Sequence, residues 1–351
     1  MEKEIHNLRE ITWVNILKGF GILMVVVGHM TESQSKSGQL IYLFHMPLFF
    51  LISGYLFKPD KDLKNYFRKK SIHLMLPYIS FLILIYLIPQ IVLMFIDHSP
   101  SFYNLLYIVK VGLVGGRGLK GSAGTLWFIS CLFLSQQLIN ILVSKYPTKL
   151  AISLVSFFFT LGYIHSIFFR QYWLPLGLDV VLGAVPIFYI GYIFKSYEMH
   201  IRLILPASII ALLSIVIIPK EYLFAYDMKS ANYGFPLISI ICALSINYVL
   251  IYICKLFRDT KLVSLIVSIG NASLIIMIVH KVILENTTSM TSYRLEIFRF
   301  LIAITVSYAT YILIKKFRTT RALLLGSEPD LKYLKDIRFK IYIRNFFKFL
   351  L

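Results

Sequence analysis

Charge is scarce in this sequence. Asp, Glu, Lys and Arg make up 15% of its 351 residues, against 58% hydrophobic residues. With a mean hydropathy of +0.75, that balance excludes an ordinary soluble domain, where about a quarter of residues are charged. Cysteine is scarce as well. Cys131, Cys242 and Cys254 all fall in apolar runs without metal-ligand spacing, which leaves them as small core residues that say little about redox compartment. No periodic repeat and no linker long enough to separate a second domain is present. A cleavable signal peptide is not expected: the first apolar run follows a mixed-charge start and lacks a small-residue cleavage site, so that helix should remain in the mature protein.

What is there instead is a succession of apolar runs of membrane-spanning length, near 12–30, 40–57, 72–96, 124–144, 149–169, 174–194, 201–218, 236–254, 263–283 and 297–314. They predict an all-α integral membrane protein of about ten transmembrane helices. An even number of crossings puts both termini on one side. With both ends cytoplasmic, about 25 of the 36 Lys and Arg residues lie on the inner side, as the positive-inside rule asks, and the cytoplasmic (plasma) membrane is the expected location. The net charge of +19 is then explained by an anionic inner leaflet, and no nucleic-acid partner is expected. Residues 1–316 are expected to form the membrane domain. Residues 317–351 form a basic cytoplasmic tail, in which Leu334, Ile337, Ile341, Phe346 and Phe349 alternate with Lys335, Arg338, Arg344 and Lys348, as in a helix lying on the membrane surface. No extramembrane catalytic domain is expected after it.

Two segments stand outside the runs. Residues 58–71 make a basic inner loop and residues 97–123 a glycine-rich outer loop. The latter contains Gly116-Arg-Gly118-Leu-Lys-Gly121, a formal dinucleotide fingerprint. No strand precedes it and no βαβ unit can be drawn, so a flexible flap over a cavity mouth is the preferred reading.

The first run carries ionisable residues that a lipid-facing helix would avoid. Lys18 and His29 lie eleven positions apart, which on a helix places them on one stripe about 16 Å apart. Asn15 shares that face. Such alignment points to a polar cavity inside the bundle.

Read onward, Arg9-x-x-x-Trp13-x-Asn15-x-x-Lys18-Gly19 leading to Gly28-His29 resembles the first helix of the acyltransferase 3 family of integral membrane proteins. Phe44-His45-Met46-Pro47-Leu48-Phe49-Phe50-Leu51-Ile52-Ser53-Gly54-Tyr55 is similar to that family's second signature. Leu76-Pro77-Tyr78, Leu126-Trp127-Phe128, Ile187 to Tyr192, and Gly270-Asn-Ala-Ser-Leu274 running to His280 follow in order. The resemblance covers residues 9 to about 283. It has two departures. Asn15 stands where the family often carries aspartate, and Lys70 and His73 stand where relatives commonly show two arginines ahead of Pro-Tyr.

The resemblance implies transfer of an acyl group, usually acetyl, from a cytosolic thioester to a hydroxyl of a glycan or lipid-linked sugar. Acetyl-CoA is the expected donor, a cell-surface polysaccharide or its lipid-linked precursor the expected acceptor, and no metal is required. A sugar hydroxyl is a poor nucleophile at neutral pH, and a histidine suits the base it needs. His29 is the first candidate, against the plain reading of a histidine hydrogen-bonded within a bundle. Lys18 either meets a donor phosphate or carbonyl or snorkels to the interface. His45 is a second polar group for the cavity, and Asp179 could supply the carboxylate missing at position 15. His280 is a further buried ionisable residue. Ser53-Gly54 is expected to permit close helix packing rather than to carry an acyl group. Arg9 and the basic residues Arg68, Lys69 and Lys70 are the expected contacts for the phosphates of coenzyme A, although positive-inside also predicts them. Two other readings stand beside an O-acyltransferase: a glycan or lipid transporter with a polar cavity, and an N-acyltransferase acting on an amino sugar. Oligomeric state is not indicated.

Overall fold

The computed structural model describes residues 2–31, 35–97, 101–196, 201–217, 226–257, 260–288 and 293–336. Among the described residues it contains helices and no strand; the only pairing of that kind is an isolated bridge between Asp227 and Asn232. The helices in chain order are α1 (Glu2–Met30), α2 (Lys36–Tyr55), α3 (Leu63–Ile96), α4 (Phe102–Val114), α5 (Trp127–Lys145), α6 (Thr148–Phe169), α7 (Leu178–Ser196), α8 (Ile204–Ile217), α9 (Ile238–Leu256), α10 (Lys261–Asn271), α11 (Ser273–Asn286), α12 (Tyr293–Lys316) and α13 (Arg318–Leu324).

Eight described helices are long and apolar enough to cross a membrane. Helices α10 and α11 make a further crossing as a pair bent by 78° at Ala272. Helix α8, shorter, occupies the remaining apolar run. All ten expected runs are therefore helical. The protein is an all-α membrane protein.

Capping explains where several helices start. Ser35 accepts a hydrogen bond from the Gly38 amide at 3.1 Å to open α2, Asp62 accepts from Asn65 at 3.0 Å to open α3, and Thr260 accepts from Val263 at 3.2 Å to open α10. Each satisfies an amide that a helix end leaves without an intrahelical partner. Helix α3 widens into π turns at Ser71–Met75 and Ile83–Leu87. Pro77 and Pro89 follow them, and each proline removes the amide that would have closed a normal turn.

Two expectations from the sequence are corrected here. The segment 97–123 is not one loop, because its first half forms α4. That helix spans 13 residues, too few to cross on its own, and so escaped a search for long runs. The basic stretch 58–71 is also not all loop: α3 begins at Leu63, which puts Arg68, Lys69 and Lys70 in its first turns.

Helices α1, α2, α7, α9 and α10 form the centre of the bundle. Small residues bring them close. Gly54 in α2 lies against the backbone of Phe188 in α7, and Gly191 in α7 lies against the backbone of Leu51. Gly19 in α1 faces the Ile266 carbonyl, and Gly270 in α10 faces that of Asn15. This is close packing of the small-residue kind that membrane helices use in place of a hydrophobic driving force. Ser53-Gly54 thus has the packing environment its sequence suggested.

Candidate active site

Helix α1 is continuous through both Lys18 and His29, so their separation along the axis is about 16 Å, as helical rise requires. Lys18 is half-buried and donates to Asn15 Oδ1 at 3.2 Å. An amide oxygen thus takes the place of a carboxylate beside this ammonium. The side chain of Arg9 lies outside the described residues.

His29 stands near the end of α1, and aromatic and imidazole rings gather around it. Its ring centroid is 5.2 Å from that of His280 in α11 and 6.5 Å from that of Tyr42 in α2. Tyr42 in turn meets His45 edge-on at 5.1 Å. Lys281 follows His280 directly in α11. His29 itself keeps exposed surface at the end of α1. An ionisable side chain set among imidazole and phenol rings inside a membrane bundle is costly there without a role.

The other two histidines are fully buried and held alike. Nδ1 of His45 lies 2.6 Å from the Ile41 carbonyl, and Nδ1 of His280 lies 2.6 Å from that of Ile276. A carbonyl only accepts, so each Nδ1 carries the proton and each Nε2 carries a lone pair. His280 Nε2 has no hydrogen-bond partner among the described residues.

Asp179 is engaged elsewhere. It is fully buried at the start of α7, and its Oδ2 accepts from Arg117 at 2.6 Å while Oδ1 accepts from the Leu174 amide at 3.2 Å. Arg117 also donates to the carbonyls of Arg170 at 3.1 Å and Ser230 at 2.9 Å. The fingerprint-like Gly116–Gly118 is a 3-10 turn fixed by this guanidinium. That corrects the flexible flap: Arg117, with one charge-assisted bond to Asp179 and two bonds to backbone carbonyls, pins the segment to α7 and to the 226–233 turn. Beside these contacts lies an open cleft of about 660 Å³, lined by Arg117, Arg170, Gln171, Asp227 and Asn232.

On the opposite end of the bundle, a second cleft of about 580 Å³ lies between the start of α3 and residues 325–329. Lys58, Lys69, Lys70 and His73 line it. Arg68 pairs with Glu328 at 3.2 Å across its mouth, and Lys69 lies 4.0 Å from Asp60. The far wall is shaped by Gly326, whose φ of +61° and close approach to the Ile72–His73 backbone leave no room for a side chain. Beyond it, Arg321 clamps Asp330 through two hydrogen bonds of 2.7 and 2.8 Å.

A family model described as an acyltransferase domain matches residues 11–316. The chain belongs to that family. With its apolar helices, this supports an integral membrane protein of the acyltransferase class. The nodulation protein NolL of Mesorhizobium japonicum is 28% identical over 151 residues, 39% of this chain. The match spans 37% of that protein's length. No solved structure matches the chain.

The structure brings His29 and His45 to one end of the bundle, and Lys69 and Lys70 to the other, with Lys18 between. Sequence reasoning left Tyr42, Lys229 and Lys281 out of the site. The pair His280-Lys281 within an apolar helix was a usable signal, because two adjacent ionisable residues there are costly without a role. For Lys229, in a turn, there was none.

Proposed function

We propose that this protein is a membrane O-acyltransferase, carrying an acetyl group from acetyl-CoA to a hydroxyl of a cell-surface polysaccharide or a lipid-linked sugar. The observation that carries the reading is the imidazole of His29, set 5.2 Å from the His280 ring and 6.5 Å from that of Tyr42, inside a bundle whose family is one of acyltransferases. In this reading the basic cleft faces the cytosol, the histidine end faces the outer side of the plasma membrane, and Lys18 lies between them.

The donor set of the cleft fits coenzyme A. Lys58, Lys69 and Lys70 would hold its phosphates, and the thioester would supply an acyl carbon activated for attack. His29 takes the proton of the acceptor hydroxyl as the oxygen attacks the thioester carbon. The C–O bond forms, the tetrahedral centre collapses, and the C–S bond breaks. The imidazolium returns its proton to the departing thiolate, leaving an ester, a free thiol and neutral His29. Binding two substrates from opposite ends turns a bimolecular reaction into an intramolecular one.

The test is transfer of labelled acetyl from acetyl-CoA to a panel of acceptor glycans by the purified protein. His29→Ala should lower the rate by about 10²–10⁴ with the melting temperature unchanged. A fully active variant would remove His29 as the base. An alkali-stable product would replace the ester with an amide.

A further inference from the structure

We propose that Lys229 and Lys281 form a subsite for an anionic group on the acceptor, a carboxylate or a phosphate, placed so that a neighbouring hydroxyl reaches His29. This deepens the acyl-transfer reading and rests on it.

The two ammonium groups converge on one point. A side-chain carbon at Gly124 would lie 2.7 Å from Lys229 Nζ and 3.2 Å from Lys281 Nζ. They come from different parts of the chain, a turn and helix α11, so local sequence does not force them together. Lys229 is held in place by reciprocal bonds: its Nζ donates to the Leu119 carbonyl at 3.1 Å, and Arg117, two residues earlier, donates to the carbonyl of Ser230 at 2.9 Å. That single bond leaves Lys229 two free N–H groups. Lys281 has no hydrogen-bond or ion-pair partner among the described residues.

Two nearby carboxylates, Glu285 and Asp227, attract these ammonium groups from a distance but form no ion pair with them within 4 Å among the described residues, and their hydrogen bonds go to serines. Glu285 accepts from the Ser122 hydroxyl at 2.5 Å. Asp227 accepts from the hydroxyl of Ser230 at 2.6 Å and from its amide at 3.3 Å. Asp179 is taken by Arg117. Two half-buried like charges facing each other across a glycine repel, and an anion with two or three oxygens placed between them removes that repulsion while using the unspent N–H groups. Lys281 directly follows His280 in α11, and the His280 ring lies 5.2 Å from that of His29, so an anion held by these lysines is close to the base.

Binding can be measured on the full-length His29→Ala protein, which separates recognition from turnover. The probes are a glucuronate-containing disaccharide, its carboxyl-reduced neutral counterpart, and a sugar 1-phosphate. At least one charged probe should bind tenfold or more tightly than the neutral one, and whichever charged probe is preferred identifies the source of the anion. Lys229→Gln with Lys281→Gln should erase that preference and leave neutral-sugar binding unchanged. The Lys229→Arg and Lys281→Arg variants, which keep the charge, control for folding and should retain it. Equal binding of charged and neutral probes, or a preference that survives the double glutamine variant, would overturn the subsite. Absence of acetyl transfer by the unsubstituted protein would instead overturn the catalytic reading, and the binding result would stand apart from it.

Discussion

The rings of His29 and His280 lie 5.2 Å apart, between the end of α1 and the middle of α11. His280 spends its Nδ1 proton on its own helix and leaves Nε2 buried without a partner among the described residues. A buried acceptor left without a partner costs about 1–3 kcal/mol. His280→Leu removes that cost while keeping similar volume. The variant should melt no lower than the parent yet transfer acyl groups about 10- to 100-fold more slowly, the pattern of stability traded against activity. Unchanged kcat with a lowered melting temperature would mark His280 as a packing residue.

Much of this arrangement was legible in the sequence because it depends on local regularity. The apolar runs fixed the helices, and helical periodicity alone aligned Lys18 with His29. The basic character of residues 58–71 pointed to the cleft that Lys58, Lys69 and Lys70 line. What stayed hidden depends on which distant elements meet. Asp179 looked like a free carboxylate for the site, but its partner, Arg117, lies 62 residues away, and no pattern announces that contact. Lys229 sits in a turn among polar residues, where a lysine is ordinary; only the packing of that turn against Gly124 gives it a role.

The turn lysine also has a distinctive titration. Burial brings the ammonium of Lys229 down to about 8, with repulsion from Lys281 and Arg117 opposed by attraction from Asp227 and Glu285. Lys229 is therefore charged below that pH and neutral above it. Affinity for an anionic acceptor should be constant at lower pH and fall as pH rises through about 8, by up to tenfold per unit for one linked proton. Lys229→Arg stays charged and should shift the decline to higher pH. Titration of probe binding across pH 6.5 to 9.5 checks this, and a flat profile would show that Lys229 carries no part of the anion's binding.

The ion pair of Arg117 and Asp179 links four segments, so its removal should be felt as lost structure before lost chemistry. Arg117→Ala leaves Asp179 charged in a fully buried position, a change worth about 3–5 kcal/mol of destabilisation. Arg117→Leu combined with Asp179→Leu removes both charges and should be milder than Arg117→Ala alone. Thermal melting in detergent distinguishes these cases. Equal melting of parent and Arg117→Ala would mean the pair bears no load in the bundle.

The basic cleft allows the donor to be dissected by its own chemistry. If Lys69 and Lys70 grip phosphates, their loss matters only to donors that possess phosphates. A charge-assisted hydrogen bond contributes about 1.5–3 kcal/mol, so Lys69→Gln with Lys70→Gln should raise KM for acetyl-CoA by about tenfold or more. Acetyl-pantetheine, which keeps the thioester and lacks the nucleotide and its phosphates, should bind parent and variant alike, weakly in both. Because the reacting groups lie far from this cleft, kcat should be nearly equal for the two proteins with either donor. Equal KM values for acetyl-CoA would return these lysines to a simpler role, that of holding the end of α3 at an anionic membrane surface.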